Sequence, residues 1–88
     1  MGTSTIPLEE IIDTVTGLIA AELGRPAGQL APDLDLTAVD GADSVKVLRA
    51  VARIERTYDI ELEDEQVFGF TTIRDVATAV SGLVERDG

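Results

Sequence analysis

The chain holds 88 residues, room for one domain and one hydrophobic core, and its 44% hydrophobic share excludes wholesale disorder. Seventeen acidic against seven basic residues leave a formal net charge of −10, which repels nucleic-acid phosphates and anionic membrane surfaces alike. Cysteine and histidine are absent, which removes disulfides, thiolate metal sites, the thiol nucleophile and the usual general base, so self-contained catalysis is not expected.

Met1-Gly2-Thr3-Ser4-Thr5 lacks the basic flank and apolar stretch of a secretory signal. Ile6 stands where a myristoylation site needs Ser or Thr. No apolar run approaches the roughly 18 residues of a membrane span. A cytoplasmic monomer is therefore expected, with a folded domain over residues 7–85 and flexible ends at 1–6 and 86–88.

The first element is an amphipathic helix near residues 7–23. Leu8, Ile11, Ile12, Val15, Leu18, Ile19 and Leu23 recur at spacings of three and four, which makes one apolar stripe. Pro7 suits the first turn, Glu9 and Glu10 suit the positive end of the helix dipole, and Gly24 followed by Pro26 ends it. Residues 24–43 carry Gly, Pro and Asp around Leu30, Leu34, Leu36 and Val39 without a regular period, so they read as a long ordered loop. Connections of that length in a small domain are usually functional, and the scattered apolar residues should pin this one to the core.

A second helix opens at Ser44, capped by Asp43 or by Ser44 itself, with Val47, Val51, Ile54 and Tyr58 inward and Leu48 at the edge. Asp59 to Glu63 form a short link. Asp64 can cap a single turn through Val67 and Phe68 that Gly69 ends. Thr71 or Thr72 caps a last helix whose inner face is Ile73, Val76, Ala77, Val80 and Val84. The expected fold is all-α, a small four-helix bundle of three main helices and one short one, with a long loop between the first and second.

Ordinary chemistry fails on spacing. Ser44 lacks the second glycine of a Gly-x-Ser-x-Gly elbow, and without histidine no Ser-His-Asp triad can form. Asp33, Asp35 and Asp40 faintly suggest a calcium loop, but Ala38 stands where the turn glycine is required and Ser44 where the bidentate glutamate belongs, so solvated loop carboxylates are the better account. No metal site is expected. Taken alone, a Ser or Asp ahead of an apolar-periodic segment is an N-cap and nothing more.

Gly41-Ala42-Asp43-Ser44-Val45, with Tyr58-Asp59-Ile60-Glu61-Leu62 about fourteen residues further on and Phe70-Thr71-Thr72-Ile73-Arg74-Asp75 opening the last helix, resembles the acyl carrier protein family. The resemblance runs from the first amphipathic helix to Val84. It implies a 4′-phosphopantetheine arm, donated by coenzyme A and joined by a phosphodiester to Ser44, with cargo held as a thioester. It also implies that Asp43 assists the modifying transferase. Physical reasoning agrees: a helix N-terminus, with unpaired N–H groups and about half a positive charge, suits the anionic linker.

Around the second helix, Lys46, Arg49, Arg53 and Arg56 fall within one arc opposite Val47, Val51 and Ile54. The family usually carries acidic residues there, so this chain departs from its pattern. The plain reading is a solvated face. The alternative is a stripe that meets acidic patches on partners, with Val45 and Ala52 as exposed apolar contacts beside it, and Lys46 can instead screen the linker phosphate. The resemblance therefore implies a discrete, non-catalytic acyl carrier, tilted by this departure towards natural-product pathways of polyketide type. Implied partners are a phosphopantetheinyl transferase, a loading acyltransferase or adenylating ligase, and condensing or tailoring enzymes. A peptidyl carrier with aminoacyl cargo and an unmodified helical adaptor are the competing readings.

Overall fold

The longest apolar stripe in the sequence becomes the helix around which the others gather. In the computed structural model, which describes residues 6–39 and 43–87 apart from the side chains of Ser44 and residues 85–87, helix α1 covers Leu8–Leu23. Pro7 stands at the cap, and its carbonyl accepts from the Glu10 and Ile11 N–H groups at 3.0 and 3.2 Å. Gly24 ends the helix at φ 68°, a left-handed conformation that favours glycine, and its N–H donates to the Ala20 carbonyl. Ile11, Ile12, Val15, Ile19 and Leu23 are buried as expected, while Leu18 is half-buried and Leu8 exposed. Thr16 and Ala20 join the core; the Thr16 hydroxyl donates to the Ile12 carbonyl at 2.6 Å, which offsets its desolvation.

Helices α2 (Ser44–Tyr58) and α4 (Ile73–Asp87) both pack against α1, and the six-residue α3 (Asp64–Gly69) lies between them in the chain. Four helices and no strand occur among the described residues, the all-α bundle that the sequence pattern predicts. Ile54, Ile73, Ala77 and Val80 are wholly buried with Ile11 and Val15. Ala50 belongs to this core, whereas Val47, Tyr58 and Val84 are only half-buried. Position 50 falls three residues after Val47 and four before Ile54, on the same stripe, and its small side chain permits close approach of a neighbouring helix.

The long loop contains two single turns of 3-10 helix, Ala27–Gln29 and Leu36–Ala38. Leu30 is buried, and Leu34, Leu36 and Val39 pack against the core, so the loop is pinned as expected. It also completes the start of α4. The Arg74 N–H donates to the Pro32 carbonyl at 3.0 Å, and the Leu36 N–H donates to the Thr71 carbonyl at 2.8 Å. Thr72 is the cap of α4: its hydroxyl accepts from the Asp75 N–H at 3.1 Å, and Asp75 accepts in return from the Thr71 and Thr72 N–H groups.

Three boundaries differ from expectation. Gln66 accepts from the Glu63 N–H at 3.1 Å, so Glu63 rather than Asp64 caps α3. Ile6 packs against the core although residues 1–6 were expected to be flexible, and residues 1–5 lie outside the described set. Helix α4 runs through Arg86 to Asp87, past the expected domain end at 85.

Candidate functional site

Helix α2 begins at the serine that the sequence singles out. Asp43 is extended at φ −134°, ψ 170°, its carboxylate accepts from the Lys46 N–H at 2.9 Å, and its carbonyl accepts from the Val47 N–H at 3.0 Å. Of the two candidate caps, Asp43 is therefore the one used. Ser44 is the first residue of the helix; its side chain, like Asp40, Gly41 and Ala42, lies outside the described residues. The first turn also sets the positive end of the helix dipole at Ser44.

A cavity of about 390 Å³ opens beside this first turn. Asp43 and Lys46 stand in its wall near Ser44, Val47, Val51 and Ile54 line it from α2, Val67 and Phe68 from α3, and Ile19 and Leu23 from α1. Its lining is thus mostly aliphatic, with Thr37, Asp43 and Lys46 as its polar members. Phe68 is 83% exposed, so the short α3 only partly walls the cavity.

The predicted basic arc divides. Arg49 and Arg56 are exposed, as are Val45 and Ala52. Lys46 is half-buried at the cavity. The Arg53 guanidinium meets the Glu22 carboxylate of α1 at 3.4 Å, a contact across helices that no spacing within α2 reveals.

The three loop aspartates are not equivalent. Arg74 grips Asp33 through Nε at 2.7 Å and a terminal nitrogen at 3.2 Å, and those hydrogen bonds with the guanidinium charge hold the Asp33 carboxyl below its ordinary value. The Thr37 hydroxyl at 2.6 Å and its N–H at 2.9 Å do the same for Asp35. Asp33 thus fastens the loop to α4 and Asp35 holds the loop's own turn, and Asp40 lies outside the described residues. No group of carboxylates positioned to hold a metal ion occurs among the described residues.

The sequence profile of the family described as "Phosphopantetheine attachment site" matches residues 13–80, most of the chain. The chain belongs to the phosphopantetheine-binding carrier family. Membership implies a covalently attached 4′-phosphopantetheine group, and a serine opening a helix beside a mostly apolar cavity suits such a group. Two solved structures share the fold of this carrier. One is the HMG-ACPI domain from the CurA module of Lyngbya majuscula, with a TM-score of 0.81 at 18% identity over 99% of this chain and 93% of that one. The other is the acyl carrier protein of Enterococcus faecalis, with a TM-score of 0.72 at 22% identity over 89% of this chain and 99% of that one. Carrier domains of this kind interact with a phosphopantetheinyl transferase and with biosynthetic enzymes, and they are generally non-catalytic. No described helix is long and apolar enough to cross a membrane.

Proposed function

We propose that this carrier holds acyl intermediates and that Ser44 is its point of attachment. The observation that carries the reading is the placement of Ser44 as the first residue of α2, next to Asp43 and Lys46, which line a mostly aliphatic cavity of about 390 Å³. Attachment joins the Ser44 oxygen to the phosphorus of the pantetheine half of coenzyme A. The bond to the adenosine half breaks, and the serine proton is released. The resulting phosphodiester is an anion, supported by the positive end of the α2 dipole. The arm supplies a terminal thiol for thioester chemistry. Asp43 holds the first turn through its cap, and its carboxylate is also within the region that a transferase must approach.

The cavity's mostly aliphatic lining supports an acyl cargo over an aminoacyl one, because an apolar chain gains from burial there whereas a charged amino group loses hydration along the aliphatic walls. Loading would fall to an acyltransferase or adenylating ligase, and consumption to condensing or tailoring enzymes of a natural-product pathway of polyketide type. The protein acts in this scheme as a cytoplasmic monomeric carrier, not a catalyst. Incubation with coenzyme A and a broad-specificity transferase should add about 340 Da to the intact mass, and Ser44→Ala should abolish the gain. No gain in the unaltered protein would favour an unmodified helical adaptor. Faster loading by aminoacyl-adenylating enzymes than by acyl-loading ones would favour the peptidyl carrier.

A further inference from the structure

Helix α2 is amphipathic in three sectors rather than two. Ala50, Val51 and Ile54 are buried. On the solvent side two ridges run in parallel along the helix. One is apolar, with Val45 58% and Leu48 53% exposed and Ala52 exposed beyond them. The other is cationic, and the structure reduces it from four residues to two. Arg53 is held by Glu22, and Lys46 is drawn to the cavity wall. Arg49 and Arg56 remain exposed, with no carboxylate partner among the described residues, in a chain whose acidic residues outnumber its basic ones by 17 to seven.

Seven residues separate Arg49 from Arg56, so the two charges emerge from the same side of the helix about 10 Å apart along its axis. Arg53 lies between them at three- and four-residue spacings, where like charges repel within the free protein. An exposed apolar strip flanked by arginines that have no carboxylate partner among the described residues suits a protein-binding surface, where exposed apolar patches mark interaction sites and arginine is enriched. Any enzyme that handles a group on Ser44 must also stand over the first turns of this helix.

We propose that Arg49 and Arg56, with the strip Val45, Leu48 and Ala52, form a docking surface for an enzyme whose arm entrance presents carboxylates beside a shallow apolar depression. This rests on the carrier reading of Ser44. The two arginines orient the encounter, because on a molecule of net charge −10 they mark the side of α2 where an acidic surface meets attraction at contact distance. The apolar strip then supplies the contact area.

The test uses the holo form, its arm verified by intact mass and its cargo loaded as a short acyl group, with condensing enzymes of solved structure as acceptors. One acceptor has carboxylates around its arm entrance, the other lysines and arginines. R49Q/R56Q removes two positive charges from α2; T14E/A21E changes net charge equally by adding two acids to exposed positions of α1. With the carboxylate-rimmed enzyme, R49Q/R56Q should raise KM about tenfold at low salt with kcat unchanged, while T14E/A21E stays within about twofold of the unaltered chain. The gap should close near 1 M salt, where the screening length falls to about 3 Å. Circular dichroism confirms that each variant is folded. Equal effects of the two double variants, or a preference of the unaltered chain for the basic-rimmed enzyme, would overturn the docking proposal alone. A chain that gains no mass with the transferase would overturn the carrier reading and this proposal with it.

Discussion

Asp43→Ala removes a side-chain bond that holds the first turn of α2, and the size of the effect can be worked out from the cap. The carboxylate accepts from the Lys46 N–H at 2.9 Å. Loss of such a cap costs typically about 1 kcal/mol, within a range of roughly 0.5–2. Removing an anion from the positive end of a helix adds about 0.3–1 kcal/mol at an exposed position. Lowering the magnitude of a net charge of −10 by one returns a part of this by easing self-repulsion. The net expectation is a loss of about 1 kcal/mol, which for a domain of this size lowers Tm by about 4–8 °C. Asp43→Asn keeps the acceptor oxygen and loses only the charge, so it should fall between the two, close to the unaltered chain. Thermal and urea denaturation followed by circular dichroism measure both, and the rate of mass gain with the transferase is read on the same samples. Slow modification of a stable Asn variant would assign the carboxylate a part in the transferase reaction. An Ala variant that melts with the unaltered chain, or an Asn variant as unstable as the Ala one, would refute the cap reasoning.

Asp59 closes α2 in a left-handed conformation at φ 54°, with its charge at the negative end of the helix dipole. Asp59→Gly should therefore raise stability by about 0.5–1 kcal/mol, and an unchanged or lower denaturation midpoint would contradict this. The Arg74 bonds hold Asp33 below its ordinary value, so their stabilisation is present at neutral pH and is lost as pH falls below about 4 through the depressed folded value. Arg74→Gln should accordingly be less stable than the unaltered chain at neutral pH, with the difference vanishing under acid; a difference that persists there would disprove the pairing. Phe68, 83% exposed, contributes little to the fold, so Phe68→Ser should change stability by no more than about 0.5 kcal/mol. Ile54→Ala, wholly buried on the α2 side of the same cavity, should cost about 2–5 kcal/mol, and similar losses at both positions would show that α3 is better packed than its exposure indicates.

Helices α1, α2 and α4 are legible in the sequence because each buries one stripe, and burial at a period of 3.6 residues leaves a record that composition and caps then bracket. Ser44 is legible for another reason: its pentapeptide and downstream spacing form a family pattern, and the structure adds that the aspartate before it is the cap. Side chains that meet across elements are not legible. Glu22 and Arg53 each look solvated on their own helices, and only the approach of α1 to α2 pairs them. Asp33 and Arg74, 41 residues apart, read separately as a loop acid and a helix base. Ala50 and Leu62 are buried without standing out in the sequence: the first falls on the α2 stripe by spacing but is small, and the second stands in a link that has no helical period. Leu62 is fixed there by its N–H, which donates to the Glu55 carboxylate at 2.7 Å.

The division of labour between helices explains why the cavity lies where it does. α1 spends its buried face on α4 and α2 together, and the long loop is fastened to the start of α4 through Pro32, Asp33 and Leu36. Those contacts supply the core independently of α3, which has only six residues and sends Val67 and Phe68 to the cavity rather than into the packed centre. Space therefore remains next to the first turns of α2, and filling it is not needed to keep the bundle folded. Substitutions in the α1–α4 core should consequently change stability with little change in docking once the protein is folded. Substitutions at Val45, Arg49 and Arg56, which touch none of the core, should do the reverse. A carrier benefits from that separation, because the face that meets successive enzymes can vary without endangering the fold that presents it.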